Sequence, residues 1–375
     1  MAFALTGARI FTGDRFLDDH AVIIAGDRIA QVVPRHAIGA LRATDLGGGL
    51  LAPGFIDVQV NGGGGALLND APTLETVRTI AASHRKFGTV GLLPTVITDA
   101  PSVLAKAIEA VQAARQNNVP GILGIHIEGP FLDVERKGAH AARFIHEMTE
   151  DDVAWLGKLD CGAVMVTLAP NKVRPELISR LAAHGVLVSL GHAEASYSEA
   201  MAALGSGARA FTHLFNAMSQ MSGREPGMVG AALADHASYA GLIADGFHVH
   251  DASLTAAIAA KSRDRLMLIT DAMPPAAGGP PGFDLQGRRA TLENGRLQLE
   301  DGTLAGSNLT MDAAVRHCVQ HLNVELADAL RMASLTPASF LRMDHLLGKI
   351  VPGHLASLVH LGDALEVRET WIDGT

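Results

Sequence analysis

The sequence predicts an α/β protein, a (β/α)8 TIM-like barrel joined to a small β-sandwich domain formed from both termini. Three observations predict it. Eight short apolar runs between residues 51 and 273 alternate with stretches of helical period. Both ends of the chain alternate apolar and polar residues between Gly and Asp turns, with almost no helical period. Polar residues gather at the C-terminal ends of the apolar runs, where this barrel class builds its sites.

The first fifty residues read as short strands, in "ALTGARIFTG", "FLDDHAVIIAGDRIAQVV" and "TDLGGGLLAPG". The tail repeats the pattern in "GKIVPGHLASLVHLGD" and "VRETWIDG". We assign residues 1–52 and 346–375 to the small domain and 53–345 to the barrel. The eight barrel runs are 51–60, 89–98, 121–129, 163–170, 185–192, 208–215, 239–249 and 266–273. Amphipathic helices are expected over Pro72–Phe87, Pro101–Asn117, Arg174–His184 and Ser196–Leu204. Strands alternating with helices make a parallel sheet. Eight such units over about 220 residues suit a barrel of roughly 250. Residues 283–304 read as a β-hairpin insertion after the eighth strand, and Met311–Leu341 return to helix.

Composition removes several function classes. Thirty Lys and Arg stand against 39 Asp and Glu, a net charge of −9, so no basic face is offered to nucleic acid. Hydrophobic residues make up 48% and charged residues 18%, which is a globular rather than a disordered balance. The chain has no apolar run long enough to span a bilayer. Met1 to Phe11 lacks a basic n-region, so no signal peptide is expected. Two cysteines, Cys161 and Cys318, cannot make a disulfide framework and are expected to be reduced and buried, in a cytoplasmic protein.

Seventeen histidines are the unusual count. The first strand ends in Asp57, Gln59 and Asn61, and the third in His126 and Glu128. His192, His213, His248 and Asp271 close the fifth to eighth. Two imidazoles and a carboxylate, here Glu128, His192 and His213, match the ligand set of a catalytic divalent-metal site. A bound ion would lower the pKa of water and polarise a carbonyl. Asp271 would then take a proton from that water and pass it to a leaving amine. The segment after it, "AMPPAAGGPPG", is no helix, which weakens the alternative reading of Asp271 as a helix cap. His126 shares a strand face with Glu128 and is open to two readings, a further ligand or a barrel-interior side chain; we favour the second. His184, His236 and His250 read as ordinary loop or helix residues, and Cys318 with His317 and His321 as a helix face. "GGGG" at 62–65 lacks a phosphate-loop context and reads as a flexible loop over the rim. The loop "LFNAMSQMSGREPG" carries Asn216 and Arg224 with free backbone amides, a set suited to a phosphate or carboxylate.

Seven strings together resemble the N-acetylglucosamine-6-phosphate deacetylases of the amidohydrolase superfamily. They are "APGFIDVQVNGGGG", "GIHIEGPFL" with "KGAH" behind it, "SLGHAEAS", "THLFNAM" with "GREPG", "ADGFHVH", "LITDAM" and "GTLAGSNLTM". The resemblance runs from about residue 50 to 345. It implies hydrolysis of the acetamide of N-acetylglucosamine 6-phosphate to glucosamine 6-phosphate and acetate. It implies Glu128, His192 and His213 as ligands of a divalent metal, and Asp271 as the acid and base. His140 would reach over the acetamido group with Ala139 beside it. Asn216, Ala217, Arg224 and His248 would contact the sugar phosphate, and Leu304, Ala305 and Gly306 would line the substrate. It also implies a homodimer in which the arginine reaches the neighbouring subunit's site.

The first strand departs from many amidohydrolases, which carry His-x-His there and hold a second metal. Gln59 and Asn61 occupy those positions, so one metal per site is expected. Zinc suits the donor set, and iron, cobalt or manganese would also be accepted. Ala193 stands where a small polar residue often follows the metal histidine. Three other readings stand beside this one. A cyclic-amide hydrolase would want the missing His pair and a lysine ending the fourth strand, whereas Lys172 lies beyond Pro170. A non-catalytic barrel should have lost Asp271 or a ligand. The same chemistry on another substrate, such as N-acetylgalactosamine 6-phosphate, is the main alternative.

Overall fold

The computed structural model describes residues 2–375; Met1, the first residue of the expected small domain, lies outside the described residues. The expected barrel is present. Its strands are β1 (Phe55–Val60), β2 (Thr89–Ile97), β3 (Gly124–Glu128), β4 (Ala163–Leu168), β5 (Leu187–Leu190), β6 (Ala210–Phe211), β7 (Tyr239–Leu242) and β8 (Leu266–Leu268). They pair in sequence order and all in parallel. No ladder joins β8 to β1. That seam closes just beyond them, through a single parallel bridge between Val60 and Ala272 and a hydrogen bond from Asp271 N to Gln59 O at 2.9 Å.

Each helix follows local rules. Leu74–Arg85 starts after Thr73, whose Oγ1 accepts from Thr76 N at 3.2 Å. Pro101 opens Pro101–Gln116, where its missing N–H costs nothing. Ser196 and Glu199 cap Tyr197–Gly205 reciprocally. Their apolar faces, such as Val77, Ile80, Ala107 and Val111, pack into one core with the barrel strands. Each fully buried aliphatic side chain contributes about 1.5–3 kcal/mol.

Both ends of the chain meet in one sheet. Leu358–Leu361 pairs antiparallel with Leu50–Pro53, in a five-stranded sheet with Val367–Trp371, Arg9–Phe11 and Phe16–Leu17. A four-stranded sheet of Ala2–Thr6, His20–Ala25, Arg28–Pro34 and Ala43–Asp45 lies against it. Leu5, Val22, Ile24 and Ile29 on one side meet Ile10, Leu51, Leu358 and Trp371 on the other, which makes a sandwich core.

The segment Met311–Leu341 is helical as expected, in three pieces, Met311–Gln320, Leu326–Ala333 and Leu335–Phe340. Three expectations need correction. The insertion after β8 is a three-stranded meander, Gly282–Leu285, Arg288–Glu293 and Arg296–Leu299, and not a hairpin. Its second turn is Asn294-Gly295, the usual signal, but its first is Gln286-Gly287, which reaches the same left-handed backbone without it. β7 ends at Leu242, so His248 sits on a loop six residues further on. The Gly62–Gly65 segment is not a loose loop. Gly62–Gly63 pairs with Ala66–Leu67, and backbone bonds tie Gly64 to Ala276 and Gly65 to Pro274. Glycine is required there by close approach: a Cβ on Gly63 would lie 2.5 Å from His84 Nε2.

Candidate active site

The C-terminal rim of the barrel holds a pocket of about 370 Å³, a size suited to a small molecule. Four strand ends build its floor. Glu128 closes β3, His192 follows β5, His213 follows β6 and Asp271 follows β8. Alternation points Glu128 and His126 to the same side of β3. Glu128 Oε1 lies 3.1 Å from His192 Nε2 and 3.0 Å from His213 Nε2, and the two nitrogens are 3.0 Å apart. All three side chains are buried.

This triangle fits a metal ion. Two imidazole nitrogens and a carboxylate oxygen converge on one point, and a single ion can touch all three at ~2.0–2.2 Å. The second nitrogen of His192 is already used, since Nδ1 hydrogen-bonds Arg136 O at 2.9 Å. That fixes Nδ1 as the donor and leaves the Nε2 lone pair facing the triangle. His140 is a nearby competitor, because a ligand atom from each of Glu128, His140 and His192 lies within 4.8 Å of the others. The tighter triangle is the one with His213.

Electrostatics follow from the burial. Burial raises the Glu128 carboxyl, but the hydrogen bonds of His192 and His213 outweigh it and hold the group well below its usual range. Burial and then the charge of His192 hold His140 well below the ordinary histidine range. Burial, then the Glu128 charge, push Asp271 up to about 6. Burial likewise pushes Asp57 up to about 7.

Asp271 has one committed oxygen. Its Oδ1 accepts from Asn61 Nδ2 at 2.6 Å and from Gln59 Nε2 at 3.2 Å. Gln59 Nε2 also lies 3.2 Å from Glu128 Oε1. The amide oxygens of Gln59 and Asn61 are buried without partners. Strand-end backbone is unusual here too. His192, His213, Phe215, Ala217 and Asp271 all have positive φ, from 32° to 77°. Such non-glycine conformations cost about 1–3 kcal/mol each and cluster at functional sites.

The pocket gathers most of the expected substrate residues. Ala139, His140, Asn216, Ala217, His248, Leu304 and Gly306 line it. Asp245 Oδ2 lies 2.6 Å from His248 Nδ1, which orients that ring toward the pocket from its loop. Ala305 does not line it; it is fully buried in the core of the insertion. Arg224 is not brought in either, and lies exposed on its loop. His126 is interior, between Thr95 Oγ1 at 3.2 Å and Thr167 Oγ1 at 2.8 Å, so it is no ligand in this arrangement. His317 pairs with Asp251 and does not line the pocket, and Cys318 is buried as a free thiol, as is Cys161. Three side chains escaped the sequence reading. Arg136 lines the pocket and pairs with Glu194, Thr303 lines it from the insertion, and Thr98 Oγ1 lies 2.9 Å from His140 Nδ1.

The chain belongs to the amidohydrolase family, whose sequence profile matches residues 50–375. A profile described as the NagA composite domain matches residues 2–51. Within that family its full-length similarity is to amino-sugar-phosphate deacetylases. It is 43% identical over 98% of its length to N-acetylgalactosamine-6-phosphate deacetylase of Shewanella sp. (strain ANA-3), covering 94% of that protein. It is 34% identical to N-acetylglucosamine-6-phosphate deacetylase of Haemophilus influenzae, over 100% of this chain and 99% of that one. The crystal structure of N-acetylglucosamine-6-phosphate deacetylase from Pasteurella multocida superposes with a TM-score of 0.97 at 33% identity, covering 100% and 99% of the two chains. The protein is therefore a hydrolase of amide bonds with a metal-binding site.

Proposed function

We propose that the protein hydrolyses the acetamide of N-acetylglucosamine 6-phosphate, releasing acetate and glucosamine 6-phosphate, in amino-sugar catabolism. The observation that carries this reading is the Glu128–His192–His213 triangle beside an aspartate with one oxygen uncommitted. Those three side chains would hold one divalent ion per subunit, zinc by preference, with iron, cobalt or manganese accepted. An ion held there would supply Lewis acidity, to polarise the amide carbonyl and lower the pKa of the attacking water. Gln59 and Asn61 are turned to Asp271, which argues against a second metal.

Asp271 does the proton work. With Oδ1 held by two amides, Oδ2 accepts the proton of the attacking water and returns it to the amine nitrogen as the C–N bond breaks. His140 stands over the acetamido group and donates from Nε2 to the carbonyl oxygen. That role needs the hydrogen on Nε2, so the Thr98 hydroxyl, which otherwise donates to Glu128 O at 3.2 Å, turns to donate to Nδ1 when substrate is bound. Ala139, Asn216, Ala217, His248, Leu304 and Gly306 shape the sugar-phosphate pocket, with Ala305 supporting that wall from behind. Arg224, which does not reach the pocket of its own chain, serves the site of a partner in a homodimer. Residues 1–52 and 346–375 form the small domain and 53–345 the catalytic barrel. Free buried cysteines suit a cytoplasmic location. Among the described residues no helix is long and apolar enough to cross a membrane.

A second reading rests on the Shewanella relative: N-acetylgalactosamine 6-phosphate, which differs at one hydroxyl. Acetate release from zinc-loaded protein decides between them. The test compares both phosphates and unphosphorylated N-acetylglucosamine. Preference for the gluco phosphate supports the proposal. Preference for the galacto epimer moves the assignment to the second reading, and equal turnover of the unphosphorylated sugar removes the phosphate contacts.

A further inference from the structure

Asp57, Gln59 and Asn61 lie two residues apart on β1 and its extension, so their side chains share one face. Gln59 and Asn61 reach Asp271 directly. Asp57 lies deeper, is fully buried and does not line the pocket. It reaches the residue before Asp271 instead. Its Oδ2 accepts from Thr270 Oγ1 at 2.5 Å, and its Oδ1 accepts from Thr270 N at 3.3 Å and Gln59 N at 3.2 Å.

The Thr270 hydroxyl then works in two directions. While it donates to Asp57, it accepts from Ala272 N at 3.2 Å. The carbonyl of Thr270 accepts from Ser307 Oγ at 2.6 Å. One hydroxyl therefore ties together the residues on both sides of Asp271, whose backbone sits at φ 52°. This happens at the seam between β8 and β1, where single backbone bonds rather than a continuous ladder hold the chain: Asp271 N donates to Gln59 O and Asp271 O accepts from Ser307 N, each at 2.9 Å, and neither fixes the side chain. Burying a carboxyl group merely to fill space is costly. Its two oxygens, however, can accept from a hydroxyl and two amides at once.

We propose that Asp57 is a positioning residue that aims the Asp271 carboxylate through Thr270. The proposal rests on the proton role given to Asp271 above. If the bracket is loosened, Oδ2 leaves the line of the reacting water, and small misplacements of that kind are expensive in rate.

The test uses the full chain with metal bound and reads kcat per bound metal ion, KM and the melting temperature. Thr270→Val keeps the shape and removes the hydroxyl; it should lower kcat at least tenfold and leave KM within about twofold. Thr270→Ser, which keeps the hydroxyl, should restore most of that loss. Asp57→Asn should match Thr270→Val, and the double variant should lose no more than either alone, because both break one link. If Asp57→Asn does not fold, the two Thr270 variants still decide. A Thr270→Val enzyme with wild-type kcat overturns the proposal, and so does a Thr270→Ser enzyme that falls as far as Thr270→Val. A wild-type protein that releases no acetate from any of the sugars would instead remove the reading of Asp271 itself.

Discussion

Asp271 carries opposite demands in one side chain. In the proposed reaction it must be charged to accept a proton, yet burial and the Glu128 carboxylate push it up to about 6. A bound divalent cation pulls it the other way. The acidic limb of kcat/KM should therefore lie at or below pH 6, with activity falling tenfold per unit as the base is protonated. In Asp271→Asn we expect retained fold and metal, and turnover reduced by 10²–10⁴ or more. A limb that persists unchanged in the residual activity would belong to another group. Glu128→Ala should instead lose the metal itself, read by elemental analysis. Most of these side chains were visible in the sequence because each polar residue interrupts an apolar strand at its end, a position that burial would otherwise reserve for Leu or Val. Arg136 and Thr98 were not visible. Arg136 acts in part through its backbone carbonyl, which carries no residue signature, and Thr98 is an unremarkable strand-end threonine until His140 folds over it.

At the scale of elements, the rim depends on pieces that touch no substrate. The Gly62–Gly65 ribbon is packed against His84 and Ser83. Gly63→Ala should cost about 1–3 kcal/mol, the usual price of overpacking, and appear as a lowered melting temperature. The insertion is pinned to the pocket wall where Arg288 donates to the carbonyl of Ala139, and Gln286 Nε2 donates to Thr98 O at 2.8 Å. Arg288→Ala should free the wall and raise KM about fivefold, near the value of one hydrogen bond, with kcat little changed. The eight barrel strands were legible because fully buried parallel strands are short apolar runs. The separate first strand of the insertion and the breaks between the last helices were not. Those depend on turns, such as Gln286-Gly287 and the one through Asn323, whose residues lack the common Asn-Gly or Pro signals.

For the whole molecule, the proposed metal and the proposed homodimer each make a prediction. Ligand that binds only the folded state stabilises it by ~2.7 kcal/mol at a hundredfold excess over Kd. Chelation should thus remove activity and lower the melting temperature by several degrees, and added zinc should restore both. Arg224→Ala should spare the metal but weaken the phosphorylated substrate selectively. Mixing it with a Glu128→Ala chain would regenerate one working site per hybrid dimer, a gain of activity that a monomer could not show.

The pairing of Leu358–Leu361 with Leu50–Pro53 has a further consequence, in the order of synthesis. As the chain leaves the ribosome, the early strands emerge with a free edge and wait while some three hundred residues are made. Until the last strands arrive, Leu51 has Leu5, Ile10, Val22, Ile24 and Ile29 in its core but lacks Leu358 and Trp371. A nascent chain stalled or cut before residue 358 would carry a nearly complete barrel and an open, sticky sheet, a form suited to capture by chaperones or proteases.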